Sequence, residues 1–206
     1  MSDAVTVREV GLRDGLQLVK TRLDTHTKLD WIRAQSAAGF SEIEVTSFVP
    51  PSILPQFADA AEVMVGALAL SDLLPTALVL NLKGARRAIE AGARKITFVL
   101  SASEAHNQSN VRRSTDASLA MFRELAKDIS TQGHIELAGA IATTFGCSLQ
   151  GHVSEARVAQ IAEDMCAAGA TEISLADTVG YAHPRQVARL FKDISAATGP
   201  VPLAAH

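Results

Sequence analysis

Short apolar segments alternate with longer amphipathic segments along the chain. The short segments are rich in β-branched or small apolar residues, as the buried strands of parallel sheets are. They predict seven strands, at Val5–Val10, Glu42–Ser47, Thr76–Asn81, Lys95–Ser101, Leu137–Thr144, Glu172–Ala176 and Val201–Ala205. The longer segments predict helices at Thr27–Ala38, Gln56–Leu68, Lys83–Ala91, Thr115–Ser130, Ser154–Ala168 and Pro184–Ala197. Regular alternation of the two kinds of element favours an α/β fold.

A weak internal repeat supports this interpretation. Gly39, Gly92 and Gly169 each follow the end of a predicted helix and precede a short turn and a predicted strand. Glycine at this position is typical of a helix that ends in a left-handed residue. Three such helix–glycine–strand transitions predict parallel βαβ units rather than a helical bundle or a β-sandwich.

The turn after the first predicted strand helps to choose between an open sheet and a barrel. Gly11–Gly15 matches neither the dinucleotide fingerprint nor the phosphate-binding loop. Polar residues recur where the other strands end, as on the active-site face of a TIM barrel. We therefore predict an α/β (β/α)₈ TIM barrel in which residues 1–206 form one catalytic domain. A complete barrel needs about 250 residues, so about seven strands are expected here. The rest of the barrel is expected either to belong to a longer chain or to be supplied by something else.

Composition narrows the classes of partner. The 206 residues are 48% hydrophobic and 20% charged, and the formal net charge is −3. This balance provides no basic surface for nucleic acid and no attraction to an anionic membrane. The chain has only two cysteines, and residues 1–5 show no signal-peptide pattern. These features predict a cytoplasmic protein in a reducing compartment.

Arg13-Asp14 and His206 are the first candidates for chemistry. Both lie at predicted C-terminal strand ends, where side chains of a barrel converge. Carboxylate oxygen and imidazole nitrogen together suit Mg²⁺ or Mn²⁺, while the arginine can stabilise negative charge on an oxygen. A structural ion pair at Arg13-Asp14 and a histidine without a role are the alternatives.

Four further strand-end residues are candidates: Glu44, Ser47, Asp177 and Thr178. Glu44 alternates with Ile43 and Val45, so it is expected to point into the barrel and to need Arg13 as its partner. The alternative for Asp177 is a loop-capping role. Cys147 is interpreted as a buried apolar residue. The histidines of turns and helix ends are interpreted as surface or capping residues; they are His26, His106, His134, His152 and His183.

An ordered series of motifs is similar to hydroxymethylglutaryl-CoA lyases and covers nearly the whole chain. Val7–Gln17 resembles the opening motif of that family, and Ile43–Val49 resembles its second-strand motif. The series continues with Pro55–Asp59, Asn81–Gly84, Ser101–Glu104, Phe145–Cys147, Glu172–Gly180 and Leu203–His206. One Arg-Asp-Gly would be a weak match, but the ordered series is specific.

The resemblance implies a TIM-barrel lyase that uses Mg²⁺ or Mn²⁺ and an acyl-CoA substrate. It implies that Asp14 and His206 are metal ligands, with His206 the first histidine of a His-x-His pair. It also implies that Arg13 steadies the enolate oxygen as a carbon–carbon bond breaks, and that Gln17, Glu44 and Asp177 surround the pocket. The implied reaction is retro-Claisen cleavage of 3-hydroxy-3-methylglutaryl-CoA to acetyl-CoA and acetoacetate.

The chain departs from the family pattern in two places. Leu12 replaces a usual proline, and residues 148–150 replace the usual Pro-Tyr-Glu after Cys147. The second histidine, an asparagine ligand and the catalytic cysteine are expected beyond His206. The alternatives are a related acyl-CoA lyase, a Claisen-condensing acyltransferase, a 4-hydroxy-2-oxoacid aldolase or an inactive truncated fragment. A homodimer is also expected as a way to cover an incomplete barrel.

Overall fold

The computed structural model describes residues 5–130 and 134–206. Residues 1–4, part of the signal-peptide argument, lie outside this range. The strands are β1 (Glu42–Ser47), β2 (Leu74–Val79), β3 (Lys95–Ser101), β4 (Glu136–Ala142), β5 (Glu172–Leu175) and β6 (Leu203–Ala205). The α-helices are α1 (Thr25–Ala37), α2 (Ala60–Ala67), α3 (Leu82–Glu90), α4 (Glu104–Val111), α5 (Thr115–Ser130), α6 (Glu155–Ala168) and α7 (Pro184–Thr198). A π-helical turn (Gly11–Gly15) and a 3₁₀ turn (Pro55–Phe57) complete the elements.

The chain divides into two compact units, Met1–Ile96 and Thr97–His206. In the first unit β1 pairs in parallel with β2, and the register shifts between Glu44 and Thr46. Such a bulge bends a strand and redirects the side chains beside it. The first unit therefore presents Glu44 at an irregular point of β1.

The second unit is also built of strands followed by helices. Its strands are hydrogen-bonded in chain order from β3 to β6, and the β4–β5 and β5–β6 pairs are parallel. Helix α5 packs on one face of this strand layer, where the ring of Phe98 in β3 meets that of Phe122 in α5 edge-on, with ring centroids 5.7 Å apart. Since side chains alternate along a strand, the odd-numbered residues of β3 face away from α5.

Most predicted elements are present, and β1, β3 and α5 have the predicted bounds. The three repeated glycines all have positive φ, at 99° for Gly39, 90° for Gly92 and 107° for Gly169. The predicted parallel α/β organisation is therefore confirmed within each unit. No helix among the described residues is both long enough and apolar enough to span a bilayer.

The predicted strand Val5–Val10 is wrong in extent. Only Glu9 pairs with β1, as an isolated parallel bridge to Ile43, and the side chains of Val5 and Val7 are largely exposed. The alternating valines therefore bury no core face. The predicted helix Gln56–Leu68 is also divided, because the 3₁₀ turn that Pro55 begins ends before α2 starts.

Thr97 in β3 has a buried side-chain hydroxyl that allows the cost of an unpaired polar group to be measured. It is 5% exposed, and its hydroxyl has no hydrogen-bond partner within the described chain. Because an unpaired buried hydroxyl is costly, Thr97→Val should leave the free energy of unfolding unchanged or raise it by up to about 1 kcal/mol. Chemical denaturation measures this. The control is Thr144→Val, which removes a 2.7 Å bond to the Ile141 carbonyl and should cost about 1 kcal/mol; equal losses would contradict the prediction.

Candidate active site

The π-helical turn of the first unit positions Arg13 and Asp14. Buried Leu12 and Leu16 anchor the turn, and the Val10 carbonyl accepts hydrogen bonds from the backbone N–H groups of Arg13 (3.0 Å) and Asp14 (2.7 Å). Leu12, which stands in place of the family's usual proline, is therefore part of the apolar anchor. The turn directs the side chain of Arg13 inward and leaves that of Asp14 partly exposed to solvent.

Arg13 is held between two carboxylates. Its Nε donates to Glu44 Oε2, and its Nη1 donates to Asp14 Oδ1 at 2.7 Å. Arg13 is 8% exposed and Glu44 is 3% exposed, so the Arg13–Glu44 contact is a buried ion pair. The predicted pairing of Glu44 with Arg13 is therefore present. Buried pairs of this kind fix the position of a guanidinium because both partners would be costly to leave alone.

Asp14 is the more accessible of the two carboxylates, with 36% of its side chain exposed. Its Oδ1 also accepts a hydrogen bond from Gln17 Nε2 at 3.3 Å. Gln17 thus reaches the same carboxylate as Arg13. Ser47 does not join this group: it is fully buried at the end of β1, where its hydroxyl donates to the Leu78 carbonyl at 3.4 Å.

In the second unit, Asp177 caps the loop that follows β5. Its two carboxylate oxygens accept hydrogen bonds from the backbone N–H groups of Tyr181 (2.9 Å) and Ala182 (3.1 Å). The geometry is that of the loop-capping alternative considered from the sequence. If the Asp177 carboxylate has a chemical role, it must perform it while it accepts these two hydrogen bonds from the loop.

Thr178 lies in that loop and supports the end of β4. Its hydroxyl oxygen accepts a hydrogen bond from the Thr143 backbone N–H at 2.8 Å. Thr143 is buried and has a φ of 58°, which is strained for a β-branched residue. Its hydroxyl also accepts the Ser103 N–H at 3.1 Å. The side chains of Thr178 and Thr143 thus connect the loops after β3, β4 and β5.

His206 follows β6 and is exposed. Its backbone N–H donates to the Leu175 carbonyl at 3.1 Å, and its carbonyl accepts from the Asp177 N–H at 2.9 Å. These bonds extend the β5–β6 ladder to the end of β6. The predicted placement of His206 at a C-terminal strand end is confirmed.

Sequence reasoning missed a polar pair in the second unit. Ser101, the last residue of β3, lies 2.6 Å (Oγ to Nδ1) from His106 in the first turns of α4. Ser101 is fully buried and His106 is half-buried, and burial lowers the pKa of His106. The only signal was a serine at a strand end; the helix that brings His106 back to it was not predicted.

Cys147 begins a tight turn closed by reciprocal backbone bonds with Gly151. Its sulfur accepts the N–H groups of Leu149 (3.3 Å) and Gln150 (3.4 Å). Burial raises the pKa of the Cys147 thiol, but the hydrogen-bonding groups around the sulfur outweigh burial and lower the pKa. Gln150, where the family pattern has glutamate, accepts from Ser103 Oγ at 3.0 Å and ties this turn to α4.

Comparison with known proteins identifies the family. The family model described as HMGL-like matches residues 4–206. The hydroxymethylglutaryl-CoA lyase YngG of Bacillus subtilis is 35% identical over 98% of this chain and 67% of its own length. The chain belongs to the HMGL-like family. The mitochondrial hydroxymethylglutaryl-CoA lyase of Macaca fascicularis is 36% identical, and the match covers 98% of this chain but 62% of that protein.

Solved structures of HMGL-like proteins have the same fold. The HMG-CoA lyase of Acinetobacter baumannii, in complex with coenzyme A and 3-methylmalate, has a TM-score of 0.93 and 41% identity over 99% of this chain and 66% of that one. The Bacillus subtilis HMG-CoA lyase also has a TM-score of 0.93, with 34% identity over 100% of this chain and 68% of that one. The fold class is therefore the predicted α/β barrel, of which the described residues contribute six strands rather than seven. This chain spans about two thirds of the length of these HMGL-like relatives.

The residues that the HMGL-like resemblance implies as metal ligands are of a suitable chemical type. Asp14 offers a carboxylate oxygen and His206 an imidazole nitrogen, donors that divalent ions such as Mg²⁺ and Mn²⁺ accept. Residues 5–130 and 134–206 contain no group of three His, Cys, Asp or Glu side chains placed to hold an ion. The described part of the chain is thus compatible with a partial ligand set.

Proposed function

We propose that this chain is the catalytic domain, residues 1–206, of a divalent-metal-dependent carbon–carbon lyase. The reaction is retro-Claisen cleavage of 3-hydroxy-3-methylglutaryl-CoA to acetyl-CoA and acetoacetate. The observation that carries the proposal is the buried guanidinium of Arg13, held by Glu44 beside the accessible Asp14. Membership of a family whose curated relatives are named as these lyases supports the same reaction.

Arg13 has the central catalytic role in the proposal. When a base takes the proton of the tertiary hydroxyl, the electron pair of the breaking C2–C3 bond forms the enolate of acetyl-CoA, and C3 becomes the ketone of acetoacetate. An acid then supplies a proton to C2 and completes acetyl-CoA. The guanidinium binds the thioester oxygen on which enolate charge develops, and a preorganised cation is worth most where burial excludes water. Glu44 holds Arg13 in place, so the cation needs no reorganisation as charge develops.

The other candidates have supporting roles in the proposal. Gln17 contributes to substrate binding through its contact with Asp14. Ser47 contributes indirectly, because its fully buried hydroxyl donates to the Leu78 carbonyl and holds the end of β1. Asp177 acts by holding the 178–182 loop, since both of its carboxylate oxygens are occupied by that loop. Thr178 then lies at a fixed place beside the end of β4 and binds substrate there.

Asp14 and His206 are proposed to hold Mg²⁺ or Mn²⁺. A bound divalent ion would act as a Lewis acid toward the substrate oxygens. The partial exposure of Asp14 supports this role, because an ion bound to this carboxylate would remain accessible to the substrate. Arg13 donates to Oδ1 of the Asp14 carboxylate, a contact that orients the carboxylate.

The proposed metal site can be tested without catalysis. In the full-length protein, Asp14→Asn should weaken Mn²⁺ binding at least about tenfold, because it removes a charged ligand. Electron paramagnetic resonance titration of free Mn²⁺ measures the affinity, and acetyl-CoA release measures activity. Asp30→Asn is the control, since Asp30 is an exposed carboxylate in a surface ion pair. If Asp14→Asn binds Mn²⁺ as tightly as the parent, Asp14 is not a ligand.

A related acyl-CoA lyase is the second candidate. It is favoured by the Acinetobacter baumannii relative, whose structure contains coenzyme A with 3-methylmalate. Comparing cleavage of several branched 3-hydroxyacyl-CoA thioesters would separate the two activities.

The location and oligomeric state of this protein are further proposals. Relatives are named both mitochondrial and cytoplasmic. We propose a cytoplasmic location, to be checked by cell fractionation, and a homodimer, to be checked by sedimentation.

A further inference from the structure

The Ser101–His106 pair lies at the end of the strand layer where chemistry is expected. Ser101 is an odd-numbered residue of β3, so it faces away from α5, opposite to Phe98. The Ala102 N–H donates to the Ala142 carbonyl at 3.0 Å, which places the ends of β3 and β4 side by side. His106 therefore lies over the C-terminal strand ends of the second unit. In a barrel, that end carries the active site.

Hydrogen bonding determines the tautomer of His106. The Ser101 hydroxyl is fully buried, and its only hydrogen-bond partner within the described chain is Nδ1 of this imidazole. A buried hydroxyl proton needs an acceptor, so Ser101 donates to Nδ1. The imidazole is neutral near pH 7 because burial lowers its pKa, and the ring proton is therefore on Nε2.

The helix that carries His106 is held firmly. Asn107 is buried, and its side chain accepts the Ser101 N–H at 2.9 Å and donates to Ser118 Oγ at 2.8 Å. Ser103 caps α4 by accepting the His106 N–H at 3.1 Å. Fixing the backbone on both sides of His106 reduces the entropy lost when its side chain binds a ligand.

We propose that His106 is a substrate-binding residue whose Nε2–H donates a hydrogen bond to an oxygen of the acyl portion of the thioester. This inference rests on the proposed lyase function. Three observations support it: the imidazole is half-buried at the strand ends, Nδ1 is occupied by Ser101, and Nε2 has no partner within the described chain. A neutral N–H donor suits a carbonyl or carboxylate oxygen, both of which a 3-hydroxyacyl dicarboxylate thioester offers.

Two substitutions of His106 separate this role from a structural one. His106→Asn places an amide where Nδ1 lies, so it can keep the contact to Ser101 but removes the outward N–H. His106→Gln brings an amide N–H close to the position of Nε2 and gives up the contact to Ser101. Ser101→Ala removes only the hydroxyl that contacts Nδ1 of His106. All are made in the full-length protein, and His26→Gln, at an imidazole whose side chain is 83% exposed, is the control.

The measurements are KM and kcat for acyl-CoA cleavage, the affinity for acetyl-CoA and for free CoA, and the melting temperature. His106→Asn should raise KM about tenfold, the usual effect of losing one hydrogen bond to a ligand, while leaving kcat and free-CoA affinity near the parent values. His106→Gln should recover most of that loss. Ser101→Ala should raise KM less, because the ring remains but loses its orientation.

The opposite pattern would overturn the inference. If His106 only joins α4 to β3, His106→Asn will match the parent, whereas His106→Gln and Ser101→Ala will lower the melting temperature and the activity together. In that case the parent still cleaves the thioester, and the proposed function stands. If the parent cleaves no thioester, the function fails, and equal affinities of parent and His106→Asn for acetyl-CoA then reject the inference too.

Discussion

Replacing Arg13 with glutamine is expected to lower kcat/KM for acyl-CoA cleavage by about 10²–10³-fold, the usual cost of losing one preorganised group that stabilises an oxyanion. The reason is the burial of the guanidinium between Glu44 and Asp14. In water such a cation would be screened and mobile, but here its position is fixed before the enolate forms. Acetyl-CoA release under saturating Mn²⁺ measures the loss.

The stability of the same variant must be separated from its activity. Arg13→Gln leaves the Glu44 carboxylate buried without its cation, which typically costs about 3–5 kcal/mol. The double variant Arg13→Gln with Glu44→Gln replaces both charges by amides and should recover most of that stability. Its activity should stay low, because no cation is restored. If activity returns together with stability, Arg13 is a folding residue and its proposed catalytic role is wrong.

Local patterns in the sequence predicted most of the elements because those patterns have local causes. Glycine after a helix permits the left-handed residue that Gly39, Gly92 and Gly169 all adopt. Short runs of β-branched and apolar residues predicted β1 and β3 with their observed bounds. The same pattern failed at Val5–Val10, where only the backbone of Glu9 pairs with β1, as an isolated bridge to Ile43. Whether a segment pairs with a strand depends on its neighbours in space, and the pattern of residues along the chain does not specify those neighbours.

The site was predictable where one residue's chemistry required another. Glu44 sits between apolar neighbours, so a buried cation had to lie near it, and Arg13 does. Composition leaves Asp177 open between a chemical role and a loop-capping role, and its two oxygens accept hydrogen bonds from the backbone of the loop that follows. The pairing of His106 with Ser101 depends on a short helix, α4, whose sequence has no clear apolar stripe. The family motif Ser101–Glu104 includes Ser101, but it does not indicate that His106 contacts this serine.

Another family motif, Pro55–Asp59, supplies the partners of a buried lysine. Lys28 in α1 is 3% exposed, and its Nζ donates to Asp59 Oδ1 and to the Gln56 carbonyl, both at 2.6 Å. Thr25 donates to the other Asp59 oxygen at 2.8 Å. Asp59→Ala leaves the ammonium group buried with one carbonyl, so it should destabilise the protein by about 3–5 kcal/mol. Denaturant unfolding of the full-length protein measures the change.

The size of the effect depends on which partner is left behind. Lys28→Met should cost less than Asp59→Ala, because the Asp59 side chain is 18% exposed and keeps its bond to Thr25. Lys28→Met combined with Asp59→Leu leaves no buried charge and should recover most of the stability. The surface pair Arg33–Asp30, with both side chains more than half exposed, is the control; Arg33→Ala should cost less than about 1 kcal/mol. Equal losses for Asp59→Ala and Arg33→Ala would show that burial does not determine the strength of the Lys28–Asp59 pair.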